Sequence, residues 1–524
     1  MRHCLLGLLL CLFCNTNFAN SEIIEDQIIA ETILKNLFNA YGSFVYPIPP
    51  KIEIVHEKKR VAAFVADRQS GKIILEKAAI DVCRSFGKDY ESALAFIIGH
   101  ELGHFFDREN NKGFATNYLK WTHTQKEEEK ADIWGVFCAY LAEYKTVSIV
   151  PNLIEALYQE YNLMEKKDEL YGYPTFKVRQ EVAQNVQEQV EELIHIFDTA
   201  NLLNAMGKYE SAAASYKYIL QFYQGREIYN NLGVNYALEA INFTKKNVDR
   251  YLYPFEIDIN TRIKKPKLDR GGEDLTEKEQ AYRMQMLQEA KKYLAIAGKM
   301  DYNYLSDDIN IMSVLALMMD LCKTCENPVA YYEKQELLKV ANFIGASNQQ
   351  KAQLQLALAL AYAKTGKKEA AKKIWDSLKN HSSTEIKYQA TFNLAALKAD
   401  YSTSFIKIYD CPSINLDLPK DGVTPHRVEI KEGFTLDSLD NTQLEIRQLD
   451  NSILTIFEDQ EGEIFMLQNW PINQPLTIDL NQTDKYQLVA HSQGFYLLCM
   501  DASSIYSVNS DGFIKAIAQF HESF

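Results

Sequence analysis

The sequence predicts a multidomain α+β protein: an α+β domain first, an all-α solenoid of repeats in the middle and a β-rich domain at the C-terminal end. Three observations carry this prediction. His100-Glu101-Leu102-Gly103-His104 lies inside an apolar stretch of helical character that follows several short extended segments. From about residue 186, tyrosine, glycine and alanine recur near the period of about 34 residues that marks paired-helix repeats. Beyond residue 401, short alternating stretches are punctuated by Asp, Asn and Gly, which is the pattern of strands and turns. A chain of 524 residues also exceeds what one hydrophobic core organises, so several domains are expected.

The first twenty residues read as an export signal. Arg2 gives a basic start, Cys4 to Phe13 is an apolar run too short to span a bilayer, and Ala19 is a plausible cleavage point. Neither Cys11 nor Cys14 follows a small residue, so soluble export is favoured over a lipidated or uncleaved anchor. No later window reads as a transmembrane helix. The net charge of -14, with no Lys/Arg-rich stripe against it, argues against a nucleic-acid partner. Of nine cysteines three fall in the signal, and Cys322-Lys323-Thr324-Cys325 reads as a local disulfide suited to an oxidising compartment.

The first domain opens with helical periodicity from Ile23 to Ala40, closed by Tyr41-Gly42 and the turn-rich Pro47-Ile48-Pro49-Pro50. Lys51 to Val55, Val61 to Ala66 and Lys72 to Leu75 are expected strands, giving a small sheet ahead of the metal helix. An edge strand of such a sheet is a natural place for an extended peptide to add itself by backbone pairing.

The next helix, Tyr90 to Asp107, carries the chemistry. His100 and His104 are one turn apart, so both imidazoles project from one face and can bind a single divalent ion. Glu101 beside them faces the open position, where a carboxylate can take a proton from an attacking water and pass it to a leaving amine. Gly99 and Gly103 would let a neighbouring element approach closely. One class of His-Glu-x-x-His protein requires a further histidine six residues on, but Asn110 stands there. The third ligand is therefore expected from a carboxylate on the following helix, which opens at Glu127-Glu128-Glu129-Lys130-Ala131-Asp132. Glu128 and Asp132 are four apart and share a face, and small Ala131 lets the two helices come close. Glu128 completes a His-His-Glu zinc site, and Asp132 accepts a hydrogen bond from a ligand imidazole. Glu127, Glu129 and Lys130 read as a solvated face.

These motifs, His100-Glu101-Leu102-Gly103-His104 followed by Glu128-x-x-Ala131-Asp132, resemble the gluzincin family that contains the HtpX-type quality-control proteases, the CAAX prenyl proteases and the periplasmic BepA-type protein. Ala62-Ala63-Phe64 looks like the Asn-Ala-Phe strand of that family, with Ala62 in place of asparagine. Tyr173-Pro174-Thr175 with Arg179 looks like its His-Pro element and downstream arginine. The resemblance covers about Pro50 to Arg179. It implies a zincin-like α+β protease domain over 21–185, with one zinc on His100, His104 and Glu128, Glu101 as base and Asp132 in support. Tyr173 becomes either an oxyanion donor or a packing residue. Arg179 orients acidic groups, binds substrate backbone or makes a structural salt bridge.

Residues 186–400 follow as a tetratricopeptide-like helical solenoid, clearest at Gly207-Lys208-Tyr209 with Ala212 and Tyr216, at Tyr229 to Ala240, and at Ala361-Tyr362-Ala363 with Gly366 and Glu369-Ala370-Ala371. An insertion at about 245–278 breaks the repeat. It carries Tyr251-Leu252-Tyr253-Pro254-Phe255 and is expected to fold as a lid against the protease cleft or the concave face of the repeats. Residues 401–524 read as a β-rich accessory domain, with strand candidates at Arg427 to Ile430, Gln443 to Ile446, Ile453 to Phe457, Glu463 to Leu467 and Gln487 to Ala490.

The function expected is that of an exported zinc endopeptidase, periplasmic or associated with the cell envelope, acting on peptide or protein substrates that the repeats recruit. By the resemblance those clients are unfolded or misassembled envelope proteins. The rival class is a helical scaffold or chaperone-like binder whose zinc site is structural or silent. A third is a zymogen opened when a partner moves the insertion or the β-rich tail.

Overall fold

A computed structural model describes residues 24–42, 49–58, 61–67, 71–110, 125–165, 174–206, 209–242, 251–255, 276–301 and 305–398, together with strands between 434 and 522. The chain forms two compact units. One comprises the described residues up to Ile196 with Gln221–Arg226 and Lys299–Asp301. The expected export signal, Tyr173 and most of the insertion lie outside the described residues.

In the first unit, helix α1 (24–41) turns Ala30, Ile33, Leu34, Leu37 and Phe38 inward. That spacing of three and four is the stripe of a helix packed on one side. It ends at Gly42, whose φ of 80° is the left-handed conformation that favours glycine and whose N–H donates to the Phe38 carbonyl at 2.9 Å. Three strands follow: β1 (Lys51–Val55), β2 (Ala63–Asp67) and β3 (Lys72–Glu76). β3 is central, parallel to β1 and antiparallel to β2. Ile73, Ile74 and Leu75 of β3 are buried in succession, as a central strand covered on both faces requires. β2 begins two residues later than the strand expected from Val61. Ala62 adopts φ 64°, a left-handed conformation that breaks the strand, while its carbonyl accepts from the Glu76 N–H at 2.9 Å.

Helix α2 (Lys77–Arg84) continues directly from β3, and α3 (Tyr90–Asn110), α4 (Gln125–Leu141), α5 (Val150–Glu160) and the start of α6 (Phe176–Met206) complete the unit. An aromatic core joins α1, α3 and α4. Tyr41 lies 3.8 Å from Trp134 and 4.5 Å from Phe106 between ring centroids, and Tyr223 packs on Phe137 at 4.9 Å. Such rings contribute well beyond their area when they meet edge on.

The second unit is helical and then all β. Its helices include α7 (Tyr209–Phe222), α8 (Arg226–Asn242), α9 (Glu277–Met300), α10 (Leu305–Met318), α11 (Pro328–Leu338), α12 (Val340–Gly345), α13 (Asn348–Lys364), α14 (Lys368–Leu378) and α15 (Thr384–Leu397). Asn327 caps α11, whose first residue is proline, and Ser347 with Gln350 forms a capping box at the start of α13. Gly366, with φ 84°, turns the chain between α13 and α14. Cys322 and Cys325 are joined by a disulfide. An antiparallel sheet of eight strands follows, β4 (Phe434–Thr435), β5 (Gln443–Gln448), β6 (Ile453–Glu458), β7 (Ile464–Pro475), β8 (Gln487–His491), β9 (Gly494–Cys499), β10 (Ser504–Asn509) and β11 (Phe513–Glu522), in the order β4-β5-β6-β7-β11-β10-β9-β8. Two four-stranded meanders thus meet along β7 and β11. Arg427 to Ile430 lies outside the described residues. No described helix is long and apolar enough to cross a membrane.

Candidate metal centre

The site depends on how closely α3 and α4 approach. Gly99 and Gly103 on α3 face Gly135 and Ala131 on α4. A Cβ placed on Gly135 would lie 2.6 Å from the His100 nitrogen, and one on Gly103 would lie 3.0 Å from the Ala131 Cα. The backbones touch because there are no side chains to hold them apart. Three of these four small residues immediately precede a candidate site residue: Gly99 before His100, Gly103 before His104, Ala131 before Asp132. The small stripes meet, and the polar stripes beside them are aimed at the same point.

There, His100, His104 and Glu128 converge, with one ligand atom from each inside a 4.8 Å span. The two Nε2 atoms are 3.0 Å apart, and the Glu128 oxygens lie 3.4 Å from His100 Nε2 and 3.2 Å from His104 Nε2. Bonds of about 2.1 Å in a tetrahedron place neighbouring donors about 3.4 Å apart, so the donor set matches one zinc ion in both chemistry and spacing. His104 is 6% exposed and Glu101, on the same helix, 8%.

Behind the donors runs a charged relay. The His100 Nδ1–H donates to Asp132 Oδ1 at 2.7 Å, so that in the neutral ring the Nε2 lone pair is directed toward the cluster. Asp132, fully buried, accepts hydrogen bonds from both terminal guanidinium nitrogens of Arg179, from Nη2 to Oδ1 at 2.9 Å and from Nη1 to Oδ2. Arg179 enters from α6 and is itself buried, so the pair is the bidentate arrangement that guanidinium makes best. Of the roles expected for Arg179, its contact with Asp132 fits both the orientation of an acidic group and the structural salt bridge.

The electrostatics follow from these neighbours. Burial lowers the proton affinity of His100, but Asp132 and then Glu128 outweigh it and raise its pKa to about 10. Burial pushes Glu128 up, yet the hydrogen bonds and charges of His100 and His104 hold it well below the usual carboxylate range. Asp132 is likewise raised by burial and lowered further by Arg179 and His100, with a net fall. Two ionised carboxylates around two imidazoles make a pocket whose potential favours positive charge, whether a proton or a divalent cation.

Residues 30–124 match the model of peptidase family M48. The match takes in the small sheet and the His-Glu-Leu-Gly-His run, and stops short of α4. It supports a zinc metallopeptidase of the M48 kind for this part of the chain, with peptides or proteins as substrates. No curated protein matches the chain. Glu128, Asp132 and Arg179 lie beyond the M48 match, and it is the fold that sets Glu128 and Asp132 against the histidines and Arg179 against Asp132.

Of the remaining expected site residues, Ala63 and Phe64 begin β2, an edge strand of the three-stranded sheet, and Ala62 forms the bend before it. Tyr173 lies outside the described residues, although its neighbour Pro174 accepts from the Tyr158 hydroxyl at 2.9 Å. Gly135 escaped the sequence reading of the site. Its signal was the second small-residue pair, Ala131 and Gly135, repeating at four residues the pair Gly99 and Gly103.

Proposed function

We propose that the protein is an exported zinc endopeptidase of the cell envelope, in which His100, His104 and Glu128 hold the metal and Glu101 is the general base. The observation that carries this reading is the convergence of three donor atoms backed by the Asp132 and Arg179 pair. Zinc held there supplies a Lewis acid that polarises the scissile carbonyl and acidifies the attacking water. Glu101 takes the proton as the water oxygen bonds to the carbonyl carbon, and delivers it to the amine nitrogen as the carbon–nitrogen bond breaks. Asp132 fixes the His100 tautomer, and Arg179 keeps Asp132 ionised and oriented.

The substrate lies extended and pairs with β2 along Ala63 and Phe64, as the outer strand of a small sheet invites. Tyr173 is retained as the proposed oxyanion donor. The α7 to α15 helices act as a tetratricopeptide-like arm that recruits client proteins, and the β-rich domain is an accessory module. Quality control of unfolded or misassembled envelope proteins is the role this combination suits.

Metal analysis of the purified chain tests the site. About one zinc per chain, lost in Glu128→Ala together with casein hydrolysis, is the expected result. Equal zinc in both proteins would remove Glu128 from the site. Zinc in the wild type without any hydrolysis would favour the helical scaffold instead.

A further inference from the structure

Within the helical unit, the short segment from Tyr251 to Phe255 has no helix or strand of its own, yet it is held on three successive helices. Leu252 is gripped by its backbone. Its N–H donates to Asn393 Oδ1 at 2.7 Å, and its carbonyl accepts from Asn393 Nδ2 at 3.0 Å. Asn393, on α15, is 1% exposed and spends its carboxamide on the main chain of one residue. The flanking side chains enter the same surface. The Tyr251 ring lies 5.6 Å from the fully buried Trp375 of α14, and the Tyr253 ring lies 5.8 Å from Lys364 Nζ at the end of α13. Tyr253 and Phe255 stack at 6.0 Å and both are buried.

A carboxamide that pairs with both the N–H and the carbonyl of one residue reads main chain, not side chain. It therefore accepts any extended segment, and the neighbouring aromatic contacts supply the selectivity. Pro254 helps, because it disfavours the helical conformation at Tyr253 and keeps the segment extended before binding. Lys364 is fixed by two bonds of 2.8 Å to Asp320, so the cation under the tyrosine ring is positioned in advance.

We propose that this surface of α13, α14 and α15 is a receptor for extended client segments carrying alternate aromatic residues, and that Tyr251–Phe255 is its built-in occupant. An incoming client displaces the chain's own segment. The tether keeps that segment at high effective concentration, so only segments with matching aromatic spacing compete. The proposal rests on the reading of the helices as a client-recruiting arm and names the chemistry of the client.

The probe is a fluorescein-labelled peptide of sequence Tyr-Leu-Tyr-Pro-Phe, titrated with the full chain and followed by anisotropy. Replacing the occupant's rings, with Tyr251→Ser, Tyr253→Ser and Phe255→Ser together, should tighten binding at least tenfold over the wild type. Adding Asn393→Ala to that variant should reverse the gain. Equal affinity for wild type and the triple variant, or indifference to Asn393→Ala, overturns the proposal. Should the triple variant not fold, amide exchange on the wild type decides. Excess unlabelled peptide should speed exchange at Leu252 and leave α13 to α15 protected, and unchanged exchange at Leu252 also overturns it. Glu101→Gln should leave peptide binding unaltered, so a failure here and a failure of the peptidase reading are told apart.

Discussion

Adding one methyl group at Gly135 is expected to dismantle the metal centre without touching a ligand. In Gly135→Ala the new Cβ would sit 2.6 Å from the His100 nitrogen and 2.7 Å from the Gly99 carbonyl carbon, where ordinary contact begins at 3.4 Å. Both neighbours are backbone atoms inside a helix, so neither can swing aside, and α3 and α4 must part by about 0.8 Å at that point. Metal–ligand distances tolerate only about 0.2 Å, so a displacement of this size strains the bonds to Glu128 on one helix or the two histidines on the other. Overpacking of this kind costs about 1–3 kcal/mol of stability, and disturbing the support of a ligand lowers metal affinity about 10- to 100-fold. The assay is zinc affinity by chelator competition, with thermal unfolding on the same sample. Gly345→Ala, where nothing lies within 4 Å of the added Cβ, is the control and should behave as wild type. A Gly135→Ala protein with unchanged zinc affinity and melting temperature would refute the argument that the helix crossing sets the site.

Asp132→Asn keeps the shape but removes the charge that Arg179 and His100 both use, so zinc affinity should fall about 10- to 100-fold by chelator competition. Unchanged affinity would reduce Asp132 to a structural bystander. Ala62→Gly should stabilise the protein by about 0.5–1 kcal/mol in denaturant melts, because a left-handed conformation at Ala62 carries a Cβ penalty that glycine avoids. A destabilised variant would contradict that backbone assignment. Cys83 and Cys138 are buried, and burial holds the Cys83 thiol well above its ordinary value. Iodoacetamide should modify neither in the folded protein, with mass spectrometry as the readout, and rapid labelling of Cys83 would contradict its placement.

How much of this was legible in the sequence differs by element. The stripe of α1, the strand Lys51–Val55 and the helix around His100 were readable from their periods, and Lys72 to Leu75 from its short apolar run after a turn. The candidate donor set that the structure brings together was legible for a related reason. Residues four apart on a helix must share a face, so His100 with His104, and Glu128 with Asp132, were pairs before any tertiary contact was known. The Arg179 contact was not. It spans 47 residues and depends on where α6 begins, which no local pattern specifies. Ala62 was read as strand because alanine carries no left-handed signal, whereas the asparagine of the resembling motif would have carried one. Tyr223 was read with the repeats, yet it packs into the aromatic core beside Trp134 and Phe137, a consequence of chain return and not of periodicity. The segment Tyr251–Phe255 was visible as a break in the expected repeat, and its grip by Asn393 spans 141 residues.

Zinc content and peptide hydrolysis measured on one preparation of Glu101→Gln test the central claim most directly. The substitution removes a proton acceptor and leaves His100, His104 and Glu128 in place. The account predicts about one zinc per chain, as in the wild type, and hydrolysis reduced at least 100-fold, the scale on which general-base catalysis acts. Full zinc with hydrolysis at the wild-type rate would contradict it.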